Sequence, residues 1–226
     1  MINKQIVFTS IALFCLVILF EFTDIDIWVQ DHFYNFATQQ WVLDRDEKIT
    51  KFIFYDGIKK LLIISIVLLL AVLLLFRNSR LIQTYKQGLW VVCLSVLLVP
   101  LSIGSLKAIT NIPCPNDITR YGGDYPHVTV LKRYPKDFHQ TEKIKCYPAG
   151  HASGGFALLS LLFLFKSRRN KRLAFVSVMI IGWSMGGYKM LIGDHFLSHT
   201  VMTMVLAWLI ILLIAKGVYK KFAVQD

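Results

Sequence analysis

Charged residues are scarce in this chain of 226 residues: they make up 17% of it, whereas hydrophobic residues make up 55%. The apolar residues also stand in blocks and lack amphipathic spacing, which excludes an ordinary soluble domain. Most of the blocks approach the ~20 residues with which a helix crosses a bilayer. We therefore predict an integral membrane protein with six spans, at Ile6–Phe20, Leu61–Phe76, Leu89–Leu106, His151–Phe165, Leu173–Ile192 and Thr200–Ala215.

No small-residue cleavage site follows the first block, where the sequence reads EFTDIDIW. Lys4 before an apolar core is otherwise typical of a signal peptide, so the missing site favours an uncleaved first span. The chain also lacks internal repeats and low-complexity segments. We expect one domain over residues 1–226, with a first connection at about residues 21–60 and a second at about residues 107–148.

Acidic residues number 14 against 25 lysines and arginines, which gives a formal net charge of +11. The positive charge concentrates in short loops between apolar blocks, such as KSRRNKR at residues 166–172, and such loops face the cytoplasm. The first connection, with eight acids against five bases, suits the opposite face. No basic, aromatic-rich domain remains outside the membrane, so nucleic acid is not an expected partner. The fold class is then an all-α bundle of six transmembrane helices with both termini in the cytoplasm.

The first connection contains DIDIWVQDHFYNFATQQWV, which mixes aromatic and polar residues at near-helical spacing. This pattern predicts a helix in the membrane interface, with Trp28, Phe33, Tyr34 and Trp41 at headgroup level. A cap packed over the bundle is the alternative interpretation.

Three residues able to carry chemistry are predicted on one membrane face although they are far apart in the chain. Lys107 ends the third block, His151 begins the fourth, and the fifth block returns the chain to His195. The fourth helix descends about 24 Å to the basic turn before the fifth climbs back. All three residues therefore lie opposite the basic loops, and packing alone does not require that convergence.

These residues belong to three sequence elements, KAITNIPCP (107–115), PAGH (148–151) and KMLIGDHFLSH (189–199). Their order, spacing and positions at helix ends resemble the type-2 phosphatidic acid phosphatase superfamily, the membrane relatives of vanadium haloperoxidases. The signature of that family reads K-x6-R-P, P-S-G-H and S-R-x5-H-x3-D. Within it, the chain is most similar to the branch with CP-x-D, PAGHAS and HFLSH elements.

The resemblance implies a phosphatase that uses a phosphohistidine and needs neither a metal nor another cofactor. His195 would attack phosphorus, and His151 would protonate the departing oxygen. Lys107 and Gly150 would bind the phosphate, since the unpaired backbone N–H groups at a helix start attract anions.

The departures from the signature alter the phosphate clamp. Cys114 stands where the family has arginine, Ala149 replaces a serine, and Tyr188 and Lys189 replace a Ser-Arg pair. Another cation is then needed, and we expect Arg120 and Lys189 to complete the clamp with Lys107.

His199 replaces the final aspartate of the signature, one helical turn after His195. A neutral imidazole there can accept the hydrogen bond of the nucleophile's second nitrogen, but it adds no negative charge. We expect His199 to orient His195, with Asp194 as the second choice.

The second connection holds Cys114 and Cys146, each just before a catalytic element, whereas Cys15 and Cys93 lie inside apolar blocks. An even pair in an oxidising compartment predicts a disulfide bond. Such a bond would hold Pro115 and Pro148 near each other.

Taken with the spans and their orientation, the resemblance implies a multi-pass lipid phosphatase of the bacterial inner membrane, with its active site on the periplasmic or exterior side. The partner is a lipid phosphate in the bilayer. Substrates of the expected class are phosphatidic acid, phosphatidylglycerol phosphate, undecaprenyl diphosphate and the phosphates of lipid A.

Three alternatives stay open at the level of sequence. A lipid phosphotransferase would use the same covalent step with an alcohol in place of water. A zinc enzyme would use His195, His199 and His151 as ligands, although HFLSH lacks the glutamate of H-E-x-x-H. A lipid-binding or transport protein would only dock headgroups on Lys107 and Arg120.

Overall fold

The computed structural model describes residues 2–223, apart from the side chain of Tyr55, and is predominantly helical. Met1 and residues 224–226 belong to the predicted domain but lie outside the described residues. The helices are α1 Ile2–Phe22, α2 Ile25–Asp31, α3 Lys48–Lys51, α4 Gly57–Leu75, α5 Arg80–Ile109, α6 Gly150–Ala157, α7 Leu161–Leu164, α8 Arg168–Leu191 and α9 Leu197–Ala223. A π-helical segment, Phe52–Asp56, joins α3 to α4.

Five helices in the described part of the chain are long and apolar enough to cross a membrane: Ile2–Phe22, Lys48–Leu75, Arg80–Ile109, Arg168–Leu191 and Leu197–Ala223. The fourth predicted span is a shorter apolar helix over Gly150–Leu164. Within it a 3-10 turn, Leu158–Ser160, separates α6 from α7. Five of the six predicted blocks thus form helices of spanning length. The fourth block, His151–Phe165, lies in a helix that does not reach that length.

The core lies where α5, α6, α8 and α9 meet, with α1 packed along α9. Small residues set the helix spacing: a Cβ atom on Gly182 of α8 would lie only 2.4 Å from the Phe156 ring of α6. Close helix approach through glycine is a common way to pack helices in a bilayer. Helix α4 packs much less closely than these helices. Leu62 is its one buried residue, and most of its surface contacts no other part of the described chain.

The first connection is shorter than predicted, because a helix already begins at Lys48. It holds α2 and a small antiparallel hairpin, β1 (Tyr34–Asn35) with β2 (Gln40–Trp41), so the helix prediction holds for its first half only. Tyr34 is buried and its ring lies 4.8 Å from that of Trp41, whereas Trp28 is exposed. The packed-cap interpretation therefore describes the hairpin better than headgroup anchoring does.

The second connection runs from α5 to α6 and contains two 3-10 turns, Pro115–Asp117 and Thr119–Tyr121. The disulfide bond predicted between Cys114 and Cys146 is present. The Thr110 hydroxyl donates to the carbonyl of Tyr147, which also holds the two ends of this connection together. The end of α5 and the start of α6 are thereby fixed side by side.

Candidate active site

His151, His195 and His199 converge where the second connection meets the ends of α8 and α9. The ring centroids of His151 and His195 are 6.2 Å apart, and those of His195 and His199 are 5.5 Å apart. Beside them lies a pocket open to solvent, the active-site pocket, lined by Arg45, Lys51, Lys107, Cys114, His151, Tyr188, Lys189, Ile192, Asp194 and His195. Two sequence-predicted catalytic residues and two predicted phosphate ligands, Lys107 and Lys189, thus share one pocket.

His151 is placed by the first turn of α6, whose N-cap is Ala149. The Ala149 N–H donates to the carbonyl of His199 at 3.2 Å, and the Thr203 hydroxyl donates to the Ala149 carbonyl at 3.2 Å. These bonds tie the start of α6 to the first turns of α9. The two motifs are therefore held together through the backbone of Ala149, where the family signature has serine.

Gly150 follows Ala149 and opens α6 beside Lys107. A Cβ atom on Gly150 would lie 3.6 Å from Cδ of Lys107, an ordinary van der Waals distance. The lysine side chain therefore runs along the first turn of α6, where unpaired N–H groups favour an anion.

The turn between α8 and α9, residues 192–196, presents His195 to the pocket. The N–H groups of Asp194 and His195 both donate to the Lys189 carbonyl, at 2.8 and 3.1 Å, which closes the end of α8. Gly193 adopts a φ of 75°, and a Cβ atom there would lie 2.3 Å from the indole of Trp41. Only glycine satisfies both the left-handed backbone and the approach of that ring.

His195 is buried, and its Nδ1 atom lies 3.4 Å from Nδ1 of His199. Its Nε2 atom is buried without a hydrogen-bond partner among the described residues. Burial lowers the pKa of His195 well below its ordinary value, and the neighbouring His199 and Lys107 lower it further. The imidazole is therefore neutral near pH 7, as a nucleophile must be.

The disulfide bond forms one wall against His195. The Cys146 sulfur lies 3.4 Å from Nδ1 of His195 and 3.0 Å from the carbonyl oxygen of Asp194. A disulfide sulfur carries no proton, so these are packing contacts that restrict the ring of His195.

The carboxylate of Asp194 accepts hydrogen bonds from two cationic side chains and one amide. The Lys189 ammonium donates to its Oδ2 atom at 2.7 Å, the Arg45 guanidinium donates to Oδ1, and the Asn116 amide donates to Oδ1 at 3.4 Å. Of the two orienting residues considered from sequence, His199 is the one whose side chain lies 3.4 Å from Nδ1 of His195.

Arg120 is not brought to the active-site pocket, contrary to the expectation that it completes the phosphate clamp. Its Nε and Nη2 groups donate to the two carboxylate oxygens of Asp31 at 2.8 and 2.6 Å, and the Tyr121 hydroxyl donates to the same group at 2.8 Å. The hydrogen bonds from Arg120 lower the pKa of Asp31. Arg120 thus anchors the second connection to α2.

Sequence reasoning missed Arg45 and Lys51, which line the pocket from the first connection and α3. Arg45 stands in the acidic stretch DRDE, and no motif spacing links it to the later elements. The acidic residues around Arg45 gave no indication that its side chain lines this pocket.

A second, mostly apolar pocket lies on the α4 side of His151, and we call it the apolar pocket. Its aliphatic walls come from Leu62, Ile63 and Ile66 of α4 and from Leu158 and Met185. His151 lines both pockets, so it lies between the active-site pocket, which is rich in cationic side chains, and the apolar pocket.

Within the described residues, one group of three metal-capable side chains has its ligand atoms within 4.8 Å of one another: Cys114, Cys146 and His195. The two cysteines are joined in a disulfide bond and offer no thiolate. The histidine trio expected for a zinc enzyme does not form such a group in this part of the chain.

Comparisons with known proteins place most of the chain in one family. The family model described as the PAP2 superfamily matches residues 88–223, a segment that holds all three histidines but neither Arg45 nor Lys51. A lipid A 4'-phosphatase of Francisella tularensis subsp. novicida (strain U112) is 24% identical over 196 residues, which cover 84% of this chain and 85% of that protein. No solved structure matches the chain significantly.

Proposed function

This chain belongs to the PAP2 superfamily, and from that membership we propose that it hydrolyses the phosphate ester of a membrane lipid, with His195 as the nucleophile. The observation that carries the proposal is the shared pocket of His151, His195, Lys107 and Lys189. It joins a nucleophile, an acid and two cations, which are the groups that phosphoryl transfer through a covalent intermediate needs.

The first step forms the phosphohistidine. The Nδ1–H of His195 donates to Nδ1 of His199, which leaves the lone pair on Nε2 for attack on phosphorus. As the P–N bond forms, the bond from phosphorus to the lipid oxygen breaks, and that oxygen takes a proton from His151. Lys107, Lys189 and the start of α6 stabilise the negative charge on the phosphoryl oxygens.

The second step releases inorganic phosphate. A water molecule attacks phosphorus, the now neutral His151 accepts its proton, and the P–N bond breaks. His195 returns to its neutral form, which its burial favours. Neither step draws on a metal ion, since the proposed charge stabilisation comes from lysines and helix-end N–H groups.

The apolar pocket supports a lipid as the substrate. It adjoins the catalytic His151 and opens along α4, whose surface is mostly unburied. We propose that the apolar part of the substrate lies there while its phosphate occupies the active-site pocket. Among the candidate lipids we place the phosphates of lipid A first, because the relative named as a lipid A 4'-phosphatase aligns over 84% of the chain.

We further propose six crossings of the bacterial inner membrane by one domain, with both termini in the cytoplasm. The helix Gly150–Leu164 would be the short crossing, about 22 Å long at 1.5 Å per residue. The basic turn at residues 166–172 would then lie in the cytoplasm. The active site, at the opposite end of α8, would face the periplasm or the exterior.

Phosphate release from a panel of lipid phosphates by the purified protein tests this function. We expect release that vanadate inhibits and EDTA does not. Loss of activity with a chelator would favour the zinc enzyme, and transfer of phosphate to an added alcohol would favour a phosphotransferase. Binding of every headgroup without turnover would contradict the proposal and favour a transport protein.

A further inference from the structure

Arg45 lines the active-site pocket although it lies outside the segment that matches the family. It sits in the first connection, three residues before α3, and its side chain is 54% exposed. The guanidinium is thus accessible to a ligand entering the same pocket as His151 and His195.

The first connection is fastened to the end of α8, which gives Arg45 a defined position. The amide of the buried Gln30 donates to the Met190 carbonyl at 2.8 Å, and the Leu43 N–H donates to the Leu191 carbonyl at 3.4 Å. Between them in the chain, the indole of Trp41 covers Gly193. These contacts follow the backbone that leads to His195, so Arg45 is delivered next to the nucleophile.

Arg45 pairs with the carboxylate of Asp194, whose charged oxygens accept hydrogen bonds as phosphate oxygens do. Asp194 accepts hydrogen bonds from Arg45 and Lys189 and is itself only 18% exposed. Arginine forks and ammonium groups bind carboxylates and phosphates through the same charge-assisted hydrogen bonds. Arg45 donates to Asp194 through Nη2. Because a guanidinium has five N–H donors, several of them remain to bind a second anion.

The usual clamp arginine is replaced here by Cys114, whose sulfur is used in the disulfide bond. Arg120, the other arginine near that motif, is held by both oxygens of Asp31. The pocket is lined by three lysines, Lys51, Lys107 and Lys189, and by one arginine, Arg45, which comes from the first connection.

We propose that Arg45 binds the phosphoryl group of the substrate, and that Asp194 holds Arg45 and Lys189 in place until that phosphate shares their hydrogen bonds. This proposal rests on the proposed phosphatase function. It assigns the missing clamp position to the first connection, which makes residues outside the family segment part of the substrate site.

The test compares two arginines that both pair with a carboxylate outside the bundle core. Arg45→Gln removes the charge at the pocket, Arg45→Lys keeps it, and Arg120→Gln is the matched control away from the pocket. We measure KM and kcat with a lipid phosphate and competitive inhibition by vanadate. Arg45→Gln should raise both KM and the inhibition constant about ten- to a hundred-fold, as expected for lost hydrogen bonds to a charged group. Arg45→Lys should recover part of this loss, and Arg120→Gln should match the wild type.

A role limited to the ion pair with Asp194 predicts a different result in a double variant. If Arg45 binds phosphate, Arg45→Gln still weakens vanadate inhibition when Asp194 is already changed to Asn. If Arg45 only pairs with Asp194, the second substitution has no further effect, and the proposal is overturned. Unchanged KM and vanadate inhibition in Arg45→Gln would also overturn it while leaving the phosphatase function intact.

Failure of the phosphatase function gives a separate signature. If the wild-type protein releases no phosphate from any lipid, the phosphatase function is contradicted. Calorimetric binding of inorganic phosphate then still tests whether Arg45 binds phosphate. Equal binding by wild type and Arg45→Gln would contradict a phosphate-binding role. Thermal unfolding of every variant shows whether a loss reflects misfolding.

Discussion

The Nδ1 atoms of His195 and His199 lie 3.4 Å apart between two buried imidazoles. Two neutral rings can share this contact only if one donates its proton and the other accepts it. When His195 donates, its Nε2 atom is left with a lone pair, and this is the atom without a partner among the described residues. His199 can thus fix the tautomer of His195, the proposed nucleophile, as an aspartate would, but without a negative charge.

Substitutions of His199 should separate orientation from charge. His199→Ala should lower kcat roughly 10²- to 10³-fold, because the ring of His195 loses the group that fixes its tautomer. His199→Asp should be at least as active as the wild type, since a carboxylate accepts the same proton and stabilises the positive charge of the phosphohistidine. Phosphate release measures both.

Bound zinc in the same variants tests the rival interpretation. A zinc site built on His199 would lose metal or change its geometry in His199→Asp. An unchanged kcat in His199→Ala would contradict the orienting role.

Removing the disulfide bond should reduce stability. The bond closes a loop with a sequence separation of 32 residues, and replacing both Cys114 and Cys146 by serine should cost about 3–4 kcal/mol in the chain-entropy description. Thermal unfolding in detergent should show a lower Tm, with Cys15→Ser as the control because that thiol is free and exposed. Mass spectrometry of unreduced protein should find the two cysteines linked. Free thiols at both positions would rule the bond out.

Asp26 should make stability depend on pH. Its carboxylate accepts a hydrogen bond at 2.7 Å from the Ser198 N–H, in the first turn of α9, and burial raises the pKa of Asp26 to about 6. The folded state therefore holds the proton more tightly than the unfolded state. The resulting stabilisation is present below the unfolded pKa of 3.8 and is lost as the pH rises through about 6.

Two variants of Asp26 check this account. Asp26→Asn keeps an oxygen for the Ser198 N–H but cannot ionise, so the fall in Tm between about pH 4 and pH 7 should become smaller. Asp26→Ala removes the acceptor and should cost about 1 kcal/mol at either pH, as for a lost N-cap. An identical pH dependence in wild type and Asp26→Asn would argue against this role.

The proposed topology predicts opposite labelling of two loops. Cysteines introduced near Arg169 and near Tyr134 should react with a membrane-impermeant reagent from opposite sides of the membrane, because the basic turn is placed in the cytoplasm. A matched pair near Tyr134 and Arg45 should label from the same side. Labelling of the Arg169 and Tyr134 positions from one side would contradict the six crossings.

The parts of the fold that the sequence predicted are those fixed by local pattern. Long apolar blocks predicted the spanning helices, and motif order predicted that His151 and His195 share a pocket with Lys107. The disulfide bond followed from the placement of Cys114 and Cys146 in one connection.

The errors concern contacts between residues distant in sequence. Arg120 was expected at the phosphate, but its partner Asp31 lies 89 residues earlier in the chain and no spacing rule joins them. The contact between Arg45 and Asp194, 149 residues apart in the chain, was missed for the same reason. The hairpin of Tyr34 and Trp41 was also not predicted. Its aromatic residues pack against the α8–α9 turn, so their spacing in the sequence matches neither a strand nor a helix period.

The most direct test of the central claim is detection of a phosphoryl group on His195 during turnover. Wild-type protein mixed with a lipid phosphate is quenched in base, under which phosphohistidine survives, and peptides containing residues 192–199 are examined by mass spectrometry. We predict the phosphoryl group on His195 in the wild type, and neither modification nor phosphate release in His195→Ala. Sustained phosphate release by His195→Ala would contradict the account.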